Sequence, residues 1–138
     1  MKLSRAVLPV ALCLHLAGPM VVAAPAPSLQ PAEVAAFLGT WPLLMTNPEG
    51  ARETVRIWEE NGAVKASVQS GRFPAQPVGA LMKDGDLLVL SLSRFENGAP
   101  IWAVVALKLE GDTLHMAQML ERSQTIKRGS GKKETATP

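Results

Sequence analysis

The chain has no tyrosine, only three phenylalanines and three tryptophans, and one cysteine in 138 residues. With aromatic side chains at 4%, any core must be filled by aliphatic ones. The lone cysteine, Cys13, lies inside an N-terminal apolar run. The rest of the chain therefore excludes a disulfide framework and thiolate chemistry. Beyond the first 26 residues His115 is the sole histidine, and Ser67, Ser70, Ser91, Ser93 and Ser123 stand in no nucleophile-elbow context. Glu59, Glu60 and Glu96 adjoin turns and read as solvent-facing. The glycines are scattered singly as turn residues, so no phosphate-cradling loop precedes a helix. The inventory reads as a non-enzyme and implies no cofactor.

An excess of one charge is missing as well. Of 14 basic residues, Lys2 and Arg5 belong to the leader described next, leaving 12 against 12 acidic ones. A neutral domain with mixed signs gives no electrostatic reason to expect nucleic acid or an anionic membrane as partner.

What is there begins with a tripartite leader: Lys2 and Arg5, an apolar run from Ala6 to Val22, and small residues at its end. Gly18 and Pro19 interrupt the run, which falls short of the roughly 20 continuous apolar residues a membrane span needs. Val21-Val22-Ala23 fits a signal peptidase, and cutting after Ala24 or Ala26 would leave a proline first. Residues 1–23 are thus expected to be a cleaved signal peptide, which implies a periplasmic or secreted address. Leu12 precedes Cys13 and the run continues, so a lipoprotein anchor is not expected.

A Pro/Ala spacer occupies 24–30. From Pro31 to Gly39 the pattern predicts one or two helical turns, with Pro31 at a first helical position, Glu33 at the positive dipole end, and Val34, Phe37 and Leu38 on one face. Turn signals then recur about every 10 to 14 residues: Asn47-Pro48-Glu49-Gly50, Asn61-Gly62, Gly71-Arg72-Phe73-Pro74, Asp84-Gly85, Asn97-Gly98 and Gly111-Asp112. They delimit eight expected strands at 40–46, 52–59, 63–69, 76–83, 87–94, 100–109, 113–120 and 122–128. Short links throughout favour an all-β, antiparallel up-and-down eight-stranded barrel preceded by a short helix, a domain spanning 31–128. Residues 129–138 read as a disordered polar tail.

At the junction of helix and first strand stands Phe37-Leu38-Gly39-Thr40-Trp41. This Gly-x-Trp start to an eight-strand meander resembles the lipocalin and fatty-acid-binding (calycin) superfamily, and more loosely the avidins. The resemblance implies that Gly39 and Trp41 close the barrel floor, with a basic side chain of the last strand packed across the indole. Arg128 is the candidate for that partner and Arg122 the alternative. The chain departs from a lipocalin in being shorter, without a disulfide and without a C-terminal helix, so the cavity implied is small or absent.

A small hydrophobic ligand is the partner this layout implies. Alternation assigns the interior to Val55 and Ile57 on the second strand and Val68 on the third. Leu90 and Leu92 join them on the fifth strand, Val105 and Leu107 on the sixth, and Met116 and Met119 on the seventh, although that last pair differs in parity and cannot share a face. The strands at 87–94 and 100–109 are apolar on both faces, which makes them a candidate protein-contact surface and motivates a second reading, an envelope protein-binding or inhibitor module with a filled barrel. Trp102 reads as strand packing, and Phe73 and Phe95 as loop residues at the barrel mouth. His115 and Met119, four apart on one strand face, offer a third and minor reading as Cu(I) ligands, with Met45, Met82 or Trp41 nearby if the fold permits.

The leader predicts that the chain recovered from the cell envelope starts at Ala24. Intact mass checks this; a cytoplasmic chain retaining Lys2 and Arg5 contradicts it.

Overall fold

The computed structural model describes residues 28–136; the leader and most of the spacer lie outside the described residues. Hairpin turns set the architecture. Asn61-Gly62 and Asn97-Gly98 adopt φ of 53° and 78°, and of 52° and 78°. This left-handed pair matches a two-residue turn to the twist of its flanking strands. Between the turns run β1 (Gly39–Asn47), β2 (Glu49–Glu60), β3 (Ala63–Ser70), β4 (Gln76–Pro77), β5 (Ala80–Asp84), β6 (Leu87–Glu96), β7 (Ala99–Glu110), β8 (Thr113–Leu120) and β9 (Ile126–Lys132).

All strand pairs are antiparallel. The sheet order is β4-β3-β2-β1-β9-β8-β7-β6-β5, so the first and last strands are neighbours and the sheet curls into an up-and-down barrel. The expected single strand at 76–83 is broken in two. Val78 N–H donates to Ala66 O of β3 at 2.9 Å, while the next residue, Gly79, donates to Ser91 O of β6 at 2.9 Å. One stretch of chain thus switches from one rim of the sheet to the other and ties the two rims together.

Burial follows the period of two. Trp41, Leu43 and Met45 of β1, Val55 and Ile57 of β2, Leu88, Leu90 and Leu92 of β6, and Ala103, Val105 and Leu107 of β7 all face a dry interior. One end, the floor, is closed by a 3-10 helix at Pro31–Phe37 that buries Val34 and Phe37, as the predicted apolar stripe requires. Gln30 N–H donates to Glu33 Oε2 at 2.7 Å and fixes the start of this helix. Trp41 is 2% exposed, and its indole N–H donates to Phe37 O at 2.8 Å, so the ring is buried without stranding its donor.

Two sequence expectations need correcting here. The basic side chain over Trp41 is Lys133, its ammonium 5.1 Å from the ring centroid, and not Arg128. Arg128 is exposed and lies opposite Asn47, at the other end of β1. The cause is that the last strand runs on through Lys132, into residues read as tail. Gly129 and Gly131 gave that stretch the look of a linker, yet they are interior strand positions. A Cβ at Gly131 would overlap Pro42 O, and one at Gly129 would overlap Met45 Sδ, so β9 can approach β1 only where it lacks side chains. Lys133 then leaves the strand over the floor, its stem 3.0 to 3.2 Å from where a Gly39 Cβ would stand and its Nζ 3.4 Å from Ala36 O. Gly39 itself sits at φ 131°, open to glycine alone among ordinary choices.

Truncating Trp41→Ala is expected to cost about 3–5 kcal/mol, and Gly131→Ala about 1–3 kcal/mol through overpacking, both measured by urea unfolding. An unchanged midpoint in either variant contradicts the corresponding contact.

Candidate functional site

The end opposite the floor is polar. Glu53, Arg94 and Gln118 stand on β2, β6 and β8 at positions that share parity with the buried aliphatics, so strand periodicity points all three inward. Arg94 Nη1 lies 3.4 Å from Glu53 Oε1 and donates to Gln118 Oε1 at 2.8 Å. Ser70 of β3 donates from Oγ to Glu53 Oε1 at 2.9 Å, and Arg94 Nη2 reaches the same hydroxyl. The two charged side chains are only 13% and 7% exposed. A buried carboxylate is tolerable here because a guanidinium and a hydroxyl meet it; removing one partner would leave an uncompensated charge. Gln118 is fully buried, and its Nε2 has no partner among the described residues.

Above this cluster opens a cavity of about 460 Å³. Its walls combine Phe73 and Pro74 of the β3–β4 loop, Phe95 at the end of β6, Ile101 and Leu120 with polar groups from Ser70, Gln76, Arg94, Asn97 and Lys127. The charged groups on its walls, Arg94 and Lys127, are both cationic. Phe73 and Phe95 are 74% and 69% exposed, large rings left at the rim. A more open hollow of about 640 Å³ runs beside β1 and β2 from Pro42 to Arg72, and a third, of about 390 Å³, lies between β4 and β6.

Of the nine residues assigned to the interior, Val55, Ile57, Val68, Leu90, Leu92, Val105, Leu107 and Met116 point inward and are buried, packed against one another in a single core. None of them lines the three cavities described. Met119 faces out and is 53% exposed, because parity with the inward Met116 forces it to the other face, opposite Val104 and Ile126. Met119 and His115 do share that outer face, but four residues along a strand separate them by about 13 Å, too far for one ion, and Trp41 and Met45 lie on the inner face. The outer sides of β6 and β7 leave Trp102 and Val104 at 56% and 40% exposed.

The residues missed by sequence reasoning are Glu53, Arg94 and Gln118. Their signal was present: each interrupts or ends an alternating apolar series, Glu53 before Val55 and Ile57, Arg94 after Leu90 and Leu92, Gln118 between Met116 and Leu120. The exposed β7–β8 turn carries charge pairs of its own. There a hydrogen bond from Lys108 holds Glu110 below the usual carboxylate range and raises Lys108 in return, while a hydrogen bond from Lys132 holds Asp112 below its usual range.

Fold and site together define a small antiparallel β-barrel, packed at its floor and open at its mouth over a buried ion pair. Among solved structures the chain is similar to one described as the REP1-NXSQ fatty acid transporter, with 10% identity and a TM-score of 0.43, over 75% of this chain and 99% of that one. It is similar also to fatty-acid-binding protein 1 of Echinococcus granulosus, with 17% identity and a TM-score of 0.43, over 73% and 99%. No protein-family model and no curated protein matches the sequence. Among the described residues no helix is long and apolar enough to cross a membrane.

Arg94→Ala is expected to destabilise the fold by about 3–5 kcal/mol by leaving Glu53 buried and unpaired, whereas Glu53→Leu combined with Arg94→Met is expected to cost much less. Denaturant unfolding of the single and double variants checks this, and additive losses contradict the pairing.

Proposed function

We propose that the protein is an exported carrier that binds a small amphipathic ligand at the mouth of its barrel. The observation that carries this reading is the cavity of about 460 Å³ whose walls join the cationic Arg94 and Lys127 to exposed phenylalanines. An acceptor group of the ligand would meet Arg94 and Lys127 on the walls. Phe73, Phe95, Ile101 and Leu120 provide the apolar walls that would take the rest of the molecule.

This places the ligand higher than the packed interior residues would, since a core filled by Leu90, Leu92, Val105 and Leu107 has no room to give up without repacking. The ligand is then short or only half inserted, with its acceptor end down and its apolar body among the rim phenylalanines. Support for a periplasmic or secreted address comes from the leader at 1–23.

The test uses 1-anilinonaphthalene-8-sulfonate, which joins an apolar body to an anionic acceptor. Saturable one-to-one binding with blue-shifted emission is expected. Phe95→Ser and Lys127→Ala are each expected to weaken binding about tenfold, close to 1.4 kcal/mol, while Ile57→Val at the floor leaves it unchanged. Absence of saturable binding to the wild type, or equal weakening by Ile57→Val, overturns the reading.

A further inference from the structure

Equal numbers of acidic and basic side chains conceal how the fold sorts them. Three hairpin turns reach the floor end, and each carries two carboxylates: Glu59 and Glu60 at β2–β3, Asp84 and Asp86 at β5–β6, Glu110 and Asp112 at β7–β8. The cations nearby are largely engaged. Lys108 meets Glu110 at 3.0 Å and Lys132 meets Asp112 at 2.8 Å, while Lys83 and Lys133 lie over the rings of Phe37 and Trp41.

The mouth end has the opposite bias. Arg52, Arg72, Arg122, Lys127 and Arg128 stand there on β2, the β3–β4 loop, the β8–β9 turn and β9. Among the described residues none of the five meets a carboxylate, whereas Arg94 is paired to the buried Glu53. The other carboxylates at this end are Glu49, Glu96 and Glu121, and Glu121 Oε2 accepts from Trp102 N–H at 3.4 Å. The barrel is thus electrically polar along its axis although its net charge is close to zero.

Exposed apolar side chains gather at the same end. Of the eight large ones left exposed among the described residues, Phe73, Phe95, Trp102, Met119 and Ile126 stand near the mouth, and Met82 stands in the floor half. Phe73 and Phe95 crown the rim. On the outer wall Met119 lies opposite both Val104 and Ile126, and Trp102 precedes Val104 by two residues on the same face, so these four form one patch across β7, β8 and β9. Arg128, two residues after Ile126, and Arg122, in the turn after β8, border it. Rings and aliphatic chains interleaved with long cationic ones are the composition that settles at a lipid headgroup boundary, tryptophan above all.

We propose that the mouth end and the adjoining outer wall of β7, β8 and β9 form a docking surface for an anionic lipid bilayer. The uncommitted Arg and Lys side chains attract such a surface, the carboxylates of the floor turns are repelled by it, and together they turn the mouth toward the lipid. The exposed apolar side chains protrude from five separate elements, a distribution that a fluid headgroup layer accommodates and a fixed protein surface would have to match point by point. Trp102, Met119, Ile126, Arg122 and Arg128 do not line the mouth cavity, so the docking does not depend on its ligand.

The experiment sediments vesicles with the exported chain beginning at Ala24. Binding to vesicles with about one-third phosphatidylglycerol in phosphatidylcholine is expected to be at least tenfold tighter than to phosphatidylcholine alone, and to be lost in about 0.5 M salt, which screens exposed charges. Trp102→Ser with Arg128→Glu is expected to weaken it at least tenfold, whereas the matched change toward the floor, Met82→Ser with Lys65→Glu, leaves it within twofold. Brominated acyl chains are expected to quench the wild-type emission but not that of Trp102→Phe, since Trp41 is buried at the floor and Trp58 stands near the floor end of β2. No preference for the anionic vesicles, equal weakening by the two double variants, or undiminished quenching in Trp102→Phe would each overturn the proposal, as would a dimer in solution that covers Trp102 and leaves the vesicles unbound.

Discussion

The barrel depends on how closely its first and last strands can approach. Gly129 and Gly131 meet Met45 and the Pro42 carbonyl where any side chain would collide, so β9 can lie against β1 only by being bare at those two places. That approach has consequences at both ends of the molecule. Past Gly131, the chain leaves β9 with Lys133 over the indole of Trp41, and Glu134 N–H donates to Thr40 O at 2.8 Å. At the other end, Asn47 opposite Arg128 begins the rim around the mouth.

Between these ends polarity changes along the axis. At the floor polar groups are spent locally: the Trp41 indole on Phe37 O, the Lys133 ammonium on a ring face, the Lys83 ammonium 5.3 Å from the Phe37 ring centroid. The middle layers are aliphatic and closely packed. Only near the mouth do Glu53, Ser70, Arg94 and Gln118 break the apolar series, and there each charge needs its neighbours because water reaches them poorly. Packing stabilises the floor, where nothing is left for a ligand to do, and the mouth keeps hydrogen-bonding capacity in reserve.

Much of this was legible in the residues. Asn-Gly pairs located two hairpins because the turn geometry demands positive φ, and alternation located the interior because the strand period is two. What escaped had local causes. Residues 76–83 read as one strand since nothing in their composition says that Val78 and Gly79 serve different neighbours. The last strand ended too early because Gly-Ser-Gly looks the same in a linker as where two backbones touch; with the end misplaced, Arg128 took the role that belongs to Lys133. The polar cluster was overlooked because Glu53, Arg94 and Gln118 are distant in sequence, although parity turns each of them inward. Strand pairing alone brings them to one level.

The strand switch at Val78 and Gly79 makes two adjacent residues the clasp of the whole ring. Were those two hydrogen bonds to let go, the molecule would uncurl into a nine-stranded ribbon with both margins raw, a shape that grows by accretion of like chains. Keeping those margins covered is thus in part a matter of staying fastened.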